Sequence, residues 1–294
     1  MRCASCHHTS RHRSDFRVRA HGRPTHQQPQ RQRLIAIVVP YREQPEQDRK
    51  SQLLAFLTHM RSFLRGARFL IVVAEQSQDG RKFNRGQLLN AGYQEARRQA
   101  APMGLASVIL HDCDLLPSAE LLPWYASPPS RGSPCHISAA SAWSKYADAY
   151  ADSDAFFGGV TAFHPLDFEA ANGYPNDYWG WGLEDDQLRL RAEACGALSR
   201  GIVRPPPGVG RFVDQDCVNV LRVLHSPALR DAHPQLYNSR FHSLRGTALA
   251  LDPGWQGEDG LRGLACEVES RGSAETLSAA LSLLRLRLRL AQNA

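Results

Sequence analysis

Two acidic groups have the types and spacing needed for metal binding and proton transfer, and the first is Asp112 with Asp114. Alternate residues of a strand share one face, so carboxylates one residue apart can point into the same crevice. Hard divalent cations prefer carboxylate oxygens and usually keep water or phosphate as further ligands. A surface turn is the alternative, because acids near a proline such as Pro117 are common in loops. The apolar run Ala106–His111 directly before the pair favours the metal site.

The second acidic group, Glu184–Asp186, ends an aromatic and glycine-containing segment that begins at Tyr178. Trp179 and Trp181 can pack on the apolar faces of a sugar ring, while the glycines beside them let the backbone approach. An adjacent carboxylate can accept the proton of a sugar hydroxyl as that hydroxyl attacks. The alternatives are core packing for the tryptophans and helix capping for the acids, which complement the dipole of a first helical turn. We expect different acids of the triplet to serve both purposes.

Two arginines and a histidine extend the candidate site. Arg42 follows an apolar run and Arg85 begins a predicted helix, so both can bind phosphate or uridine oxygens through bidentate hydrogen bonds. For Arg85, salt bridging on the helix surface is the favoured alternative. His225 ends another apolar stretch. A lone histidine is usually structural, but a site with two carboxylates leaves a divalent cation short of ligands, which favours a metal-binding role here.

The elements that must position these residues follow from the apolar pattern. Leu34–Val39, Phe69–Ala74 and Ala106–His111 are continuous apolar runs, typical of strands buried on both faces. Helices are predicted between them, over Glu46–Leu64 and Gln87–Gln99. This alternation predicts parallel pairing with right-handed crossovers, as in nucleotide-binding α/β folds. Such sheets bind ligands at the carboxyl ends of their strands, so the strand exits should face one crevice.

The second half of the chain gives weaker signals. A strand with a glycine pair is predicted over Phe156–Phe163, and a helix over Gln187–Cys195. The composition of Ser127–Asp154 indicates an irregular connection. From Ser273 onward, and most clearly over Leu283–Leu290, the residues alternate as in a strand, but the sequence offers no turn partner for it. No function is assigned to this last segment.

Length and charge limit the classes of protein to consider. The 294 residues are expected to form one α/β domain over residues 34–270, after a disordered basic tail at 1–33 and before a C-terminal tail of uncertain structure at 271–294. The tail at 1–33 accounts for the net charge of +6, which argues against nucleic-acid binding. No stretch approaches the roughly 20 apolar residues of a membrane span. We therefore expect a soluble protein, or a chain that begins after a membrane anchor.

Taken in order along the chain, these motifs resemble the β-1,4-galactosyltransferase family. The matching blocks are Val38–Arg42, Phe83–Gly92, Asp112–Pro117, Phe157–Val160, Asn172–Asn176, Tyr178–Asp186 and Glu258–Leu261. The sequence around Asp112 and His225 is most similar to the branch that galactosylates the xylose of the proteoglycan linker. The resemblance implies a GT-A-like α/β fold with a mostly parallel central sheet flanked by helices. It also implies inverting transfer of galactose from UDP-galactose to a sugar acceptor in the Golgi lumen, with Mn²⁺ or another divalent cation as cofactor.

The resemblance further implies a role for each matching residue. The donor nucleotide sugar would be bound by Pro40, Tyr41, Arg42, Phe83, Arg85, Asp112 and Trp181. The acceptor sugar would be bound by Gly182, Glu184, Asp185 and Asp186. Of these, Asp185 would be the catalytic base. Asp114 and His225 would hold the metal ion.

Three positions depart from the family pattern. Val223 stands where the xylose-acting branch has a second histidine, and Arg222 where another branch has methionine. The metal site is therefore expected to be one protein ligand short, with water in its place. Phe156 precedes the Phe-Gly-Gly stretch, and its bulk should exclude an N-acetyl group, which favours galactose as the transferred sugar. The alternatives are a related transferase of N-acetylgalactosamine or glucuronic acid, and a sugar-binding protein without turnover; xylose, N-acetylglucosamine and glucose are all open as acceptors.

Overall fold

The computed structural model describes residues 33–44, 48–140, 157–216, 237–238, 249–278 and 281–291. Its strands are β1 (Leu34–Tyr41), β2 (Arg68–Gln76), β3 (Leu105–His111), β4 (Leu115–Pro117), β5 (Cys135–His136), β6 (Val160–Phe163), β7 (Phe212–Asp214), β8 (Cys266–Arg271), β9 (Glu275–Ser278) and β10 (Leu281–Leu290). Its α-helices are α1 (Arg49–Phe63), α2 (Arg85–Ala100), α3 (Leu122–Ala126), α4 (Pro165–Ala170) and α5 (Glu184–Ala194). The alternation of strands and helices predicted before residue 112 is confirmed.

The main sheet has the strand order β5-β6-β3-β1-β2-β10-β8, with β9 paired to β10. The four central strands β3, β1, β2 and β10 run parallel, and the strands outside them pair antiparallel. The predicted parallel pairing of the first three strands is therefore correct. Because parallel strands end at the same edge of a sheet, the exits of β1 and β3 open toward one side of the molecule.

The alternating segment near the C-terminus forms β10, as its pattern predicts. Its leucines at 284, 286, 288 and 290 are buried, whereas the arginines between them are exposed. The sequence suggested no partner for this strand, but it pairs parallel with β2 and antiparallel with β8 and β9. Long-range parallel pairing carries no local turn signal, which is why the sequence could not show it. The sheet therefore continues beyond the expected domain limit at residue 270.

Helices cover both faces of the central strands. On one face, Phe56 and Met60 of α1 pack with alternate residues of β1 such as Ile37. On the other face, α2 lies so close to β1 that a Cβ atom at Gly92 would overlap the side chain of Val38. Strands that are enclosed on both faces need apolar residues at every position, which accounts for the continuous apolar runs in the sequence.

Two helices begin earlier than the apolar pattern indicates. The side chain of Asn84 accepts a hydrogen bond from the Gln87 backbone N–H at 2.9 Å and caps α2, so that this helix begins at Arg85. Helix α5 begins at Glu184, and the acidic triplet therefore forms its first turn. Arg85 and the triplet thus lie in the first turns of these helices, as the helix-capping interpretation of the acids predicts.

Two predictions for the middle of the chain are corrected. Strand β6 covers Val160–Phe163, so Phe157 and the glycine pair lie in the loop before it, and Phe156 is outside the described residues. The segment Ser127–Asp154 was expected to be irregular, yet its described part contains β5 and a 3-10 turn at Ile137–Ala140.

Among the described residues, no helix combines the length and the apolar character that crossing a membrane requires.

Candidate active site

The guanidinium of Arg85 joins the two acidic groups. Its Nε donates to Asp112 Oδ1 at 2.7 Å, and its Nη1 donates to Asp185 Oδ1 at 2.7 Å. Nη1 also lies 3.6 Å from Glu184 Oε1. Burial alone would lower the pKa of Arg85, but the charges of these carboxylates hold it well above its usual value. The strand exit and the acidic helix start therefore face each other across one side chain, which we call the Arg85 bridge.

The alternative favoured for Arg85, a salt bridge on the helix surface, is only half right. Arg85 does pair with carboxylates, but its side chain is only 13 % exposed and its partners come from distant elements. A glycine lets the start of α2, which carries Arg85, lie close to the segment that contains Tyr174 and Pro175. A Cβ atom at Gly86 would lie 2.7 Å from the Pro175 carbonyl oxygen and 3.0 Å from the Tyr174 Cβ atom.

The acids of the first turn of α5 differ in their protonation. Burial, assisted by the charge of Asp185, raises the pKa of Glu184 to about 8. Burial and the same neighbouring charge raise the pKa of Asp186 to about 6. Glu184 therefore holds a proton at neutral pH. Its Oε2 atom is buried and meets no hydrogen-bond partner in the part of the chain that the structure describes, so this carboxyl group has unused hydrogen-bonding capacity.

The residue before this helix has a strained backbone. Leu183 has a φ of 74°, in the left-handed region that residues with a Cβ atom seldom occupy. Gly182 before it has a φ of 107°, which only glycine adopts readily. Such strain is common where a binding site dictates the path of the chain. Here the strained backbone at Leu183 turns the glycine-rich segment into α5 and places Asp185 in the first turn of that helix.

On the metal side, Asp114 is buried directly after β3. Its Oδ2 atom lies 3.2 Å from Nη1 of Arg49, whose Nη2 is 3.0 Å from Asp216 Oδ2. The described residues contain no cluster of three or more His, Cys, Asp or Glu side chains that could hold a metal ion. The Asp114 carboxylate is the type of ligand that a hard divalent cation prefers, and water and phosphate usually complete the coordination of such a cation. His225, Val223 and Arg222 lie outside the described residues.

The residues expected to bind the nucleotide lie at the exit of β1 and before α2. Pro40 and Tyr41 are buried, and the Tyr41 hydroxyl donates to Glu43 at 3.0 Å. Arg42 donates to the Arg81 carbonyl oxygen at 2.6 Å, and its guanidinium lies 5.5 Å from the centre of the Phe83 ring. Arg42 and Phe83 thus form a stacked pair, which presents a cation and an aromatic face together.

The tryptophan segment is fixed to this pair. The Gly180 N–H donates to the Phe83 carbonyl oxygen at 2.8 Å, and a Cβ atom at Gly180 would lie 2.7 Å from the Tyr237 backbone. The Trp181 ring packs edge-on against Tyr237, with ring centres 5.8 Å apart, and is partly exposed. Trp179 instead stacks with a guanidinium, that of Arg81, at 4.7 Å. Both tryptophan side chains are partly exposed and each packs against one protein group, so the packing alternative noted for the tryptophans holds for part of each ring.

Sequence reasoning missed Tyr174, although it lies in one of the motif blocks. Its hydroxyl donates to Asp185 Oδ1 at 2.9 Å, and the side chain is fully buried. The Asn90 side-chain amide accepts from the Tyr174 N–H and donates to the Tyr174 carbonyl oxygen, both at 2.9 Å. An aromatic residue between glycine and proline looks like packing, and no signal in the sequence indicated a contact with the acidic triplet.

Two family models match the chain. The one described as the N-terminal region of glycosyl transferase group 7 covers residues 3–125, and the one described as the N-terminal domain of galactosyltransferase covers residues 138–214. Human β-1,4-galactosyltransferase 4 is 37% identical over 181 residues, 60% of this chain and 47% of the relative. Human β-1,4-galactosyltransferase 3 is 37% identical over 179 residues, 60% of this chain and 41% of the relative. The chain thus aligns with less than half the length of these relatives.

Solved structures agree over a larger part of the chain. The catalytic domain of Drosophila β-1,4-galactosyltransferase 7, in complex with xylobiose, is 26% identical with a TM-score of 0.61. A mutant of the same enzyme, in complex with manganese, UDP-Gal and xylobiose, is 27% identical with a TM-score of 0.62. Both alignments cover 88% of this chain and 94% of the other. The predicted GT-A-like fold is confirmed by these similarities.

Proposed function

Because the chain belongs to the β-1,4-galactosyltransferase family, we propose that it is a metal-dependent, inverting glycosyltransferase that moves galactose from UDP-galactose to a sugar hydroxyl. The observation that carries this proposal is the Arg85 bridge, which holds Asp112 and Asp185 on one guanidinium. The metal-and-phosphate side of the site and the base side are then separated by a single side chain. Direct displacement with inversion needs such a pair of facing groups on either side of the reacting carbon.

The donor would bind along the exits of the parallel strands. Arg42 and Phe83 would contact the uridine diphosphate, because their stacked pair offers a cation for phosphate beside an aromatic face. Pro40 and Tyr41 would shape this side of the pocket, and Arg85 and Asp112 would meet the donor where the diphosphate joins the sugar. Helix α2 supports this use of Arg85, since the positive end of its dipole adds to the guanidinium charge.

Asp114 would hold Mn²⁺ together with His225. A divalent cation at this place supplies charge compensation for the diphosphate leaving group. Arg49 lies 3.2 Å from the buried Asp114 carboxylate, so a positive charge accompanies this residue at the proposed metal site. The related Drosophila enzyme, crystallised with manganese and UDP-Gal, supports the same choice of metal and donor for this chain.

The acceptor would bind beside α5. Asp185 would remove the proton of the attacking hydroxyl, because it lies in the first turn of α5 and is joined through Arg85 to Asp112 on the donor side. Protonated Glu184 would bind a sugar hydroxyl through its buried carboxyl group, and Asp186 would line the outer rim. Trp181 would cover the apolar face of the transferred sugar, with Gly182 allowing close approach of the backbone.

The test is transfer from UDP-galactose with Mn²⁺ or with a chelator, to xylose, N-acetylglucosamine and glucose acceptors. We expect metal-dependent product, and a loss of about 100- to 10,000-fold in Asp185→Asn, the usual contribution of a general base. Glu193→Gln is the control, because Glu193 lies on the same helix with a side chain that is 63% exposed. Full activity in Asp185→Asn, or turnover that ignores the chelator, would overturn the assignment. UDP-N-acetylgalactosamine and UDP-glucuronic acid as parallel donors test the choice of galactose, and UDP binding without any product indicates a binding protein.

Two further proposals concern the extent and location of the enzyme. We propose that the transferase domain runs from Leu34 to Leu290, because β10 pairs along most of β2. Truncation before residue 281 should then give insoluble protein, and soluble, active protein would contradict this limit. We also propose that the protein works in the Golgi lumen, as its relatives imply, which microscopy of the tagged protein with a Golgi marker can test.

A further inference from the structure

We propose that Tyr174 is a positioning residue, which holds Asp185 in the orientation needed to accept a proton. This inference rests on the proposed function, because it assigns a partner to the proposed base. Tyr174 also contacts Arg85, whose Nη1 donates to the Tyr174 hydroxyl at 3.4 Å and whose guanidinium lies 5.6 Å from the centre of the Tyr174 ring. Its effect on the base would pass through the hydrogen bond that its hydroxyl donates to Asp185.

The hydrogen bonds of Asp185 are distributed unequally between its two carboxylate oxygens. The Tyr174 hydroxyl and Arg85 Nη1 both donate to Oδ1, at 2.9 and 2.7 Å. No hydrogen bond from the described part of the chain reaches Oδ2, and the Asp185 side chain is 22% exposed. One oxygen is thus fixed by two donors, while the other has no donor among the described residues. This is the arrangement of a base that keeps one oxygen available for an incoming hydroxyl.

Tyr174 is itself held firmly enough to orient another group. The Asn90 amide binds its backbone N–H and carbonyl groups, and its ring packs edge-on against Phe168 with ring centres 6.3 Å apart. Burial, followed by the charge of Asp185, raises the pKa of the Tyr174 hydroxyl well above its usual value. The hydroxyl therefore keeps its proton and acts as a donor throughout the neutral range. A rigid donor of this kind is what a preorganised catalytic group requires.

The hydroxyl contributes something that Arg85 alone cannot. Arg85 shares its charge among Asp112, Asp185 and Glu184. It therefore fixes the distance to Asp185 but restricts the rotation of the Asp185 carboxylate group less. A second donor from a different direction removes that rotation. Reacting groups must be aligned as well as close, and misalignment reduces turnover rather than substrate binding.

The chain offers a matched pair of variants to test this. Tyr174→Phe removes only the hydroxyl and leaves the ring. Tyr93→Phe is the control, because Tyr93 is also buried and its hydroxyl donates to a carboxylate, Glu169 Oε1, at 2.8 Å. Glu169 is likewise paired with an arginine, Arg97, so the control removes the same kind of bond away from the site. Each variant is assayed for UDP-galactose turnover with Mn²⁺, for UDP binding by calorimetry and for melting temperature.

For Tyr174→Phe we expect kcat to fall about tenfold, which corresponds to about 1.4 kcal/mol, with KM for both substrates and UDP affinity within about twofold of wild type. Tyr93→Phe should keep the wild-type kcat. Equal kcat in the two variants would overturn the proposal. So would loss of UDP affinity in Tyr174→Phe, or a melting temperature well below that of Tyr93→Phe, because either result indicates a structural tyrosine. A wild type without metal-dependent turnover of UDP-galactose would instead overturn the proposed function, and this proposal with it.

Discussion

Two arginines anchor opposite ends of helix α5, and they differ in what surrounds them. Arg191, near the C-terminal end, has no exposed side-chain surface and pairs with Asp259, while its Nη1 donates to the Gly173 carbonyl oxygen at 3.2 Å. Arg85, at the N-terminal end, faces three carboxylates and remains 13% exposed. The buried Arg191 forms an ion pair with one carboxylate, so its charge is neutralised. The group around Arg85 carries excess negative charge and is partly exposed.

The difference separates a scaffold from a site. A single ion pair of one cation with one carboxylate leaves no net charge for a ligand, and it ties α5 to the segment Glu258–Leu261. Two carboxylates and one protonated carboxyl group around one cation leave negative charge and hydrogen-bonding capacity unused, and that excess is available to a metal ion or a sugar hydroxyl. Removing the first arginine should therefore affect folding, and removing the second should affect chemistry.

The largest effect is expected at Arg191. Arg191→Met should lower the free energy of unfolding by about 3–5 kcal/mol, because it leaves the partly buried Asp259 without its cation. Denaturant unfolding measures this change. Arg189→Met is the control on the same helix, since Arg189 pairs at 3.3 Å with the exposed Glu193 and should cost less than about 1 kcal/mol. Equal midpoints for the two variants would contradict the structural role of Arg191.

The next effect is expected at Arg85. Arg85→Met should reduce kcat/KM for UDP-galactose by about 100- to 1,000-fold, the usual range for one electrostatic donor in an active site. Steady-state kinetics with Mn²⁺ measure it, and unfolding of the same sample separates chemistry from stability. Arg98→Met is a suitable control, because Arg98 is an exposed arginine of the same helix that pairs with Glu95. A loss of less than about tenfold in Arg85→Met would show that the Arg85 bridge is not needed for catalysis.

A smaller effect is expected at the start of α2, next to Arg85. Gly86→Ala should destabilise the protein by about 1–3 kcal/mol, because the new methyl group would push against the Pro175 carbonyl oxygen and Tyr174. Gly272→Ala is the control, since its Cβ atom would lie at an ordinary contact distance of 3.5 Å from the Arg285 carbonyl oxygen. Thermal melts compare the two, and no difference between them would show that α2 can move aside without cost.

How far the sequence predicts this molecule depends on whether a signal is local. Continuous apolar runs revealed β1, β2 and β3, and the acidic groups were recognisable by spacing alone. The place of β10 beside β2 was not predictable, since pairing between strands so far apart leaves no mark in either segment. The Arg85 bridge was predictable only in part. Arg85, Asp112 and Asp185 were all candidate site residues, but the sequence could not show that one guanidinium would connect the two acids.

Tyr174 marks the limit of sequence reasoning at the site. Its hydrogen bond to Asp185 exists because Asn90 clamps its backbone and Gly86 lets α2 come close. None of these residues carries a functional signal in the sequence, and only the folded structure shows that they lie together. Trp179 is a candidate for the sugar site because tryptophan near glycine suggests one, and the structure adds that its partly exposed ring stacks on Arg81.

The smallest effect, and the sharpest contrast, is expected within the acidic triplet. Glu184→Gln should keep turnover at pH 7 within about threefold of wild type, because a neutral amide resembles the protonated carboxyl group that a pKa of about 8 implies. The same change at the neighbouring Asp185 should abolish most activity. Above pH 8, wild type should lose turnover as Glu184 gains a charge beside Asp185 and loses the proton that it would donate to the acceptor sugar, and Glu184→Gln should not. The pH profiles of kcat for the two proteins measure this, with identical profiles as the contradicting result.

The stability of the same pair of proteins gives a second readout with a defined sign. The folded protein binds a proton at Glu184 up to about pH 8, whereas the unfolded chain releases it near the ordinary value of 4.5. Between these two pH values the folded state holds more protons, so its stability must fall as pH rises. In Glu184→Gln this contribution vanishes, and the unfolding free energy should depend less on pH across the same window. If instead the variant and wild type lose stability in parallel from pH 5 to 8, Glu184 is ionised in the folded protein. The proposed roles, Glu184 as a protonated hydrogen-bond donor and Asp185 as the base, would then be wrong.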